Sequence, residues 1–322
     1  MKILFDLSAI PEDIRRQARE NAEQGKTLNI LQDIVFKDVF SADNEDSRAA
    51  LRSLLSSIIH REVSRAEVKN AELLPEYLTG KAARLDIHVT FNDGEAADLE
   101  MQMDVSGDNL KNRAAFYAAR LLSGQAEKGE FYGQMKRVYQ VFFLDGVLFP
   151  ESPRFSRRFC LMDKEEHEDL SDLVEIIFYE LPKLEDLANR YLEGRKGKER
   201  LEDLSAEEKW CIFLKYKKEK AAAGLIAELC REEEGIMRAE QAISKVSRDY
   251  NEWAVALYKD KAERDYLAGM AYARYKGKAE GYAQARLEIA RKLRERGLSE
   301  REIQDATGLS PADMGEGRME PC

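Results

Sequence analysis

Between Arg84 and Asp104 apolar and polar residues alternate. Leu85, Ile87, Val89 and Phe91 alternate with Arg84, Asp86, His88 and Thr90. Beyond Asn92-Asp93-Gly94, Leu99, Met101 and Met103 alternate with Asp98, Glu100, Gln102 and Asp104. Period two on both sides of a turn signal predicts a β-hairpin with one apolar face. The loop residues suit a three-residue connection, a type I turn closed by a left-handed glycine. In that register Phe91 faces Glu95, and Asp86 faces Glu100.

Elsewhere the period is mostly helical. Leu51, Leu54, Leu55, Ile58 and Ile59 predict an amphipathic helix over residues 47–60. Residues 71–78 read as a weaker strand interrupted by Pro75. Ser106 to Lys128 reads as a helix, with Leu110, Ala114, Tyr117, Ala118, Leu121 and Leu122 at helical spacing. The run RVYQVFFL at 137–144 predicts a central strand. Two further apolar segments, 157–162 and 173–181, extend the sheet or pair with each other, and Pro182 ends the second. The order is αβββαβ, an α/β (α+β) arrangement.

From about residue 183 the chain turns helical and highly charged. Ile236, Ala239, Ile243, Val246, Tyr250, Trp253 and Leu257 are spaced by alternating threes and fours, a heptad seam that asks for a partner helix, in this chain or in a second copy. Gly269, Ala273, Gly277, Gly281 and Ala285 then fall every fourth residue. Each helical glycine costs roughly 1 kcal/mol against alanine, so this ridge of small residues asks for close packing. In the tail, Ser299 with Glu302 and Ser310 with Pro311 are helix-start signals on either side of Gly308. They predict a small unit like a helix-turn-helix. The expected organisation is a mixed domain over 1–182, a helical region over 183–314 and a disordered end over 315–322.

The hairpin carries the candidate chemistry. Its polar face holds Asp86, Asp98, Glu100 and Asp104. Residues directly opposed on antiparallel strands have Cβ atoms about 4.5–5.5 Å apart, close enough for Asp86 and Glu100 to share one ion. A two-residue loop would set Asp86 against Met101 and spoil the site. Paired carboxylates are hard oxygen donors suited to a divalent cation, which points to metal-dependent chemistry on a phosphate. A solvated sheet face with inert acids is the competing reading of the same pattern.

Asp86 followed by Glu100-Met101-Gln102 resembles the D…E-x-K/Q motif of the PD-(D/E)XK nuclease superfamily. Phe36-Lys37-Asp38-Val39-Phe40, with Asp33 before it, is similar to the D-x-x-F-K-x-x-F opening of one branch. Arg84-Leu85-Asp86, Gly94-Glu95, Arg113 with Tyr117, and Gly129 with Tyr132 follow in the order of that branch. The set resembles the recombination-promoting nuclease and transposase family, over roughly residues 30 to 180. The resemblance implies a restriction-endonuclease-like core of αβββαβ order. It further implies a Mg²⁺-dependent DNA endonuclease, with Mn²⁺ as a substitute, in which Asp86 and Glu100 hold the ion. An upstream acid, Asp33 or Asp38, completes the shell, and Asp33 matches the opening better. Gln102 stands where many relatives have lysine. It orients water by hydrogen bonds but adds no charge. His88 shares the polar face and reads as an exposed spectator.

Charge complicates that picture. The chain has a net charge of −10, whereas a DNA-binding surface is basic. Two stretches reverse the balance locally. Residues 105–140 hold six basic side chains against three acids, and residues 286–301 hold six against three. Binding depends on local potential rather than whole-chain charge. Cys160, Cys211, Cys230 and Cys322 show no C-x-x-C spacing and read as free thiols of a reducing cytoplasm. The N-terminal apolar run is broken by Asp6, too short for a signal peptide, and no segment is long enough to span a bilayer.

Two functions from different classes stay open. One is the endonuclease. The other is a nuclease-fold protein that binds DNA or builds an assembly without cutting, and poor affinity for Mg²⁺ at the hairpin acids would mark it. A transposase that also joins strands would need a reader of DNA ends. A homo-oligomer through the helical second half, and no membrane partner, complete the expectations.

Overall fold

The computed structural model describes residues 7–69, 72–73, 83–84, 86–103, 105, 109–125, 132–192, 200–310 and 313. Leu85, Asp104, Gly129, Pro311, most of segment 71–78 and the end 315–322 lie outside the described residues. In chain order the elements are α1 (Glu12–Glu23), α2 (Asp33–Ser41), α3 (Glu45–Ile59), β1 (Ala66–Val68), β2 (Glu72–Leu73), β3 (Ala83–Arg84), β4 (Ile87–Phe91) and β5 (Glu95–Gln102). They continue with α4 (Leu110–Ser123), β6 (Val138–Leu144), β7 (Ser156–Met162), β8 (Asp169–Glu180), α5 (Glu185–Leu192), α6 (Ala206–Tyr216), α7 (Ala223–Glu232), α8 (Glu234–Val246), α9 (Tyr250–Glu295) and α10 (Glu300–Thr307).

Among the described residues a six-stranded sheet runs in the order β1-β4-β5-β6-β8-β7, and β2 pairs with β3 apart from it. Strands β1, β4 and β5 are antiparallel neighbours. The crossover through α4 makes β6 parallel to β5, and β8 lies parallel to β6. β7 closes the edge antiparallel to β8, so the two late segments both extend the sheet and pair with each other. The series α3, β1, β4, β5, α4, β6 is the predicted αβββαβ order. Its first strand is Ala66–Val68; of the segment at 71–78 the described residues, Glu72 and Leu73, form β2, which pairs with β3 apart from the sheet.

Every residue of β6 is buried, as befits an interior strand covered on both faces. One face of the sheet carries Ile87, Val89, Leu99, Met101, Val141, Phe143 and Ile177 into a core shared with α2, α3, α6 and α8. The other face packs Val138, Phe142, Leu144 and Phe178 under Leu110, Ala114, Ala118 and Leu121 of α4. Helix α3 starts where its sequence dictates. Asn44 Oδ1 accepts the Ser47 N–H at 3.0 Å, and Glu45 and Asp46 favour the positive end of the helix. It stops at His60, which adopts φ 54°.

The hairpin loop differs from a type I turn. Asn92 has φ 44° and Gly94 has φ 100°. Segment 62–65 holds Asn92 there. The Asn92 N–H donates to the Arg65 carbonyl (3.0 Å), its Nδ2 donates to the Glu62 carbonyl (3.1 Å), and its Oδ1 accepts the Ser64 N–H (3.1 Å). Asparagine tolerates the left-handed region better than most side chains, and the three-residue loop length is kept.

Two compact units divide the chain, Met1–Tyr258 and Lys259–Cys322. This boundary lies beyond the change of composition at residue 183. Phe213, Leu229, Ile236 and Ile243 are fully buried in the same core as the sheet. The heptad seam is not one helix either. Helix α8 ends at Val246, and Ser247 turns the chain by accepting the Leu28 N–H at 2.9 Å and donating to the Ile243 carbonyl. Ile236, Ala239 and Ile243 pack within the chain, on the side where α3 lies, and Tyr250 stays exposed.

In the second unit α9 is solvent-exposed along the small-residue ridge. A methyl group at Gly269, Gly277 or Gly281 would meet nothing within 4 Å, so the ridge is open. The tail bears out its first start signal. Ser299 Oγ accepts the Glu302 N–H while Glu302 accepts from the Ser299 N–H at 2.8 Å. Gly308 ends α10 at φ 65°, and Ser310 and Asp313 repeat the reciprocal bonds. Ile303 and Ala290 are buried, and Arg286 Nε donates to the Thr307 carbonyl at 2.6 Å, which docks α10 on α9. Among the described residues no helix is long and apolar enough to cross a membrane, and Cys160, Cys211 and Cys230 are free thiols.

Candidate metal centre in the hairpin

The β4–β5 ladder pairs Phe91 with Glu95 and Ile87 with Leu99, the predicted register. Asp86 sits one residue before β4, and its backbone N–H donates to Glu100 Oε1 at 3.1 Å. The alternation therefore brings Asp86 and Glu100 together at the end of the pairing. Asp86 Oδ2 is buried without a hydrogen-bond partner.

This face is not solvated. Helix α4 covers it, leaving Glu100 3% exposed and Asp98 fully buried. Carboxylates so placed resist ionisation. Burial first, then the charge of Asp33, pushes Asp86 up to about 6 against the pull of Lys37. Burial and the charge of Asp86 push Glu100 up to about 8 against Arg113. Asp98 is raised by burial and by Glu100. The charges of the acids act on one another, and each of these carboxyls holds its proton more tightly for it.

Its surroundings fall into rows across the sheet. Asp86, Glu100 and Phe142 form one row, and His88, Asp98 and Gln140 form the next. Gln140 is fully buried, and its Nε2 donates to Asp98 Oδ2 at 2.5 Å. Gln140, set inside the apolar run VYQVFFL, is the sequence signal for this contact, and it lies outside the motif that marks Asp86 and Glu100. His88 faces Asp98 and is half-buried rather than exposed. Arg113 Nη2 stands 3.7 Å from Glu100 Oε2, with the guanidinium 5.8 Å from the ring centre of Phe142 and 5.9 Å from that of Tyr117. The motif pair Arg113 and Tyr117 is thus part of the site's wall.

Gln102 closes β5 half-buried, with its Nε2 donating to the Met101 carbonyl at 3.2 Å. Asp33 is the first residue of α2, exposed, with Oδ1 accepting the Ile34 N–H at 2.6 Å. Its charge reaches Asp86, but among the described residues no three His, Cys, Asp or Glu side chains are grouped to hold an ion. Asp33 therefore closes no three-carboxylate shell with Asp86 and Glu100 here. Asp38 is half-buried on the same helix.

The donor set nevertheless fits a hard divalent cation. It offers two adjacent carboxylates and an unsatisfied buried oxygen, and Mg²⁺ needs only one or two protein carboxylates because it keeps waters and takes phosphate oxygens.

A family model described as PD-(D/E)XK nuclease family transposase matches residues 30–273. The match takes in Asp33, Asp86, Glu100, Gln102 and Arg113, and runs through α8 into α9. No curated protein matches the chain, and no solved structure does.

Proposed function

The chain belongs to the PD-(D/E)XK nuclease family transposases, and from that premise we propose that it is a divalent-metal-dependent DNA endonuclease that hydrolyses phosphodiester bonds. The observation that carries this reading is the meeting of Asp86 and Glu100, with Asp86 Oδ2 buried and unpartnered. A Mg²⁺ or Mn²⁺ ion bound there supplies a Lewis acid for a phosphate oxygen and a water of lowered pKa.

The protein's own part is positional and electrostatic. Asp86 and Glu100 present the two carboxylates, and Asp33 adds negative charge beside Asp86. Arg113 balances Glu100 from the side of α4. Gln102 orients the attacking water through its amide, which accepts and donates hydrogen bonds but brings no positive charge.

The second reading, a nuclease-fold protein that binds without cutting, draws support from the Gln102 amide, which is turned onto the Met101 carbonyl. One experiment separates the two. Supercoiled plasmid is incubated with the protein and Mg²⁺, Mn²⁺, Ca²⁺ or EDTA, alongside Asp86→Asn. Nicking in Mg²⁺ or Mn²⁺ that EDTA and Asp86→Asn abolish supports the endonuclease. Binding of plasmid without nicking in any metal leaves the non-catalytic reading.

A further inference from the structure

Beside the acid pair a floor of aromatic rings runs to the edge of the sheet. Across the ladders Glu100 is followed by Phe142, then Phe178, then Arg157 of β7. Phe142 and Phe178 stack with ring centres 5.3 Å apart, and Phe149 and Phe159 meet Phe178 edge-on at 5.5 and 5.9 Å. Three cations stand over these rings. Arg113 lies 5.8 Å from the centre of Phe142, Lys111 Nζ 4.4 Å from Phe149, and Arg157 4.3 Å from Phe149 and 5.4 Å from Phe159.

A ring face holds a cation without neutralising it. Among the described residues, Glu100 stands 3.7 Å from Arg113, and the exposed Glu151 pairs with Arg157 at 3.2 Å. Lys111 is exposed and Arg157 half-exposed. On a chain of net charge −10, three cations gathered in one strip are a local concentration of positive charge, the feature on which phosphate binding depends. Neighbouring strands lie about 4.8 Å apart, so the three steps from Glu100 to Arg157 span roughly 14 Å, about four nucleotide rises along one strand of a duplex.

We propose that Lys111, Arg113 and Arg157 form a track for the phosphate backbone of the strand bound at the acid pair, leading from Glu100 to the β7 edge. The proposal rests on the nuclease reading and adds where and how the substrate lies. Phe142, Phe149 and Phe178 are buried beneath the cations, and Phe159 is 36% exposed. The strip therefore reads backbone charge, not base edges, and binding along it is independent of sequence.

The test is fluorescence anisotropy of a labelled DNA duplex, and of one strand alone, titrated with the full chain in Ca²⁺ and in EDTA over a series of KCl concentrations. The proteins compared are wild type, Lys111→Gln/Arg157→Gln, and Lys111→Gln/Arg157→Lys, each checked by thermal melting. Each lost phosphate contact reduces the slope of log affinity against log salt by about 0.9. The double glutamine variant should therefore flatten the slope by roughly two and weaken binding tenfold or more at low salt, equally on unrelated sequences. Lysine at 157 should restore about half of the change in slope. A folded double variant with unchanged affinity and slope overturns the track, as does a wild type that binds neither DNA. If wild type nicks plasmid while the variant's slope is unchanged, the nuclease reading stands without the track. If the slope falls as expected but no metal supports nicking, the track stands and the catalytic reading falls.

Discussion

The backbone N–H of Asp86 donates to Glu100 Oε1 at 3.1 Å, so the fold fastens together two acids that repel each other when both are charged. That arrangement stores a cost which protons or a cation relieve. It makes the site's chemistry visible as a stability effect even without substrate.

In an unfolded chain these carboxyls titrate near pH 4, whereas in the fold Asp86 is pushed up to about 6 and Glu100 to about 8. Between those limits the folded state holds protons that the unfolded state has released, so stability of the metal-free protein falls as pH rises from about 4 towards 8. Thermal melts in EDTA should show this decline. Glu100→Gln and Asp86→Asn should flatten it and melt a few degrees higher than wild type at pH 8. Mg²⁺ should raise the wild-type melting point most at pH 8, where the acids are free to bind it. A wild-type melting point that climbs from pH 6 to 8 in EDTA would contradict the coupling of the pair.

The glutamine at 102 makes a sharper point about chemistry. Gln102→Lys should keep or raise metal-dependent nicking, because lysine places positive charge beside the water and the phosphate. Gln102→Ala should lower the single-turnover rate by about an order of magnitude or more. Equal rates for alanine and glutamine would make residue 102 structural, in keeping with its bond to the Met101 carbonyl.

The hairpin was legible because period two and a loop of fixed length leave one register that buries Ile87, Val89, Leu99 and Met101 together. What the alternation could not reveal is that its polar face would be roofed by α4. A charged face reads the same in sequence whether water or a helix lies against it, and that difference sets the titration of Asp86 and Glu100. Ala66–Val68 was missed because three residues show no periodicity; they are a strand only by pairing with residues 89–91. The seam from Ile236 to Leu257 kept its spacing across a break, because Ser247 and the Trp253 Nε1 bond to its carbonyl (2.8 Å) rebuild the turn. The charged helices after residue 183 hide their buried stripes in sequence, so composition alone sets them apart from the sheet whose core they share.

Helix α8 abuts α3 at a glycine. A Cβ on Gly235 would lie 2.0 Å from Ser53 Oγ and 2.1 Å from Ser53 Cβ, and Ser53 is fixed by the Trp210 Nε1 hydrogen bond at 3.3 Å. Gly235→Ala should therefore destabilise the protein by about 1–3 kcal/mol, despite the better helix propensity of alanine. Adding Ser53→Gly should recover part of the loss. Urea denaturation of the single and double variants measures both effects. A Gly235→Ala protein as stable as wild type would mean that α3 and α8 separate more easily than their packing indicates.

The last prediction concerns where the chain can be cut. Ile212, Phe213, Leu229, Ile236 and Ile243 are fully buried in the core that also holds Val141 and Phe143 of the sheet, so a fragment ending at residue 182 strips that core and should fail to melt cooperatively. A fragment ending at Tyr258 keeps the whole first unit and should melt as a single transition with the acid pair intact. The exposed stretch from Lys259 onward carries Tyr266, Tyr272, Tyr275 and Tyr282 at 63–73% exposure beside the open glycine ridge. If that surface joins copies of the chain, light scattering should give a multiple of the formula mass for residues 1–322 and the monomer mass for residues 1–258. Monomer mass for both would rule out self-association through this helix, and a multiple for residues 1–258 would move the contact to the first unit.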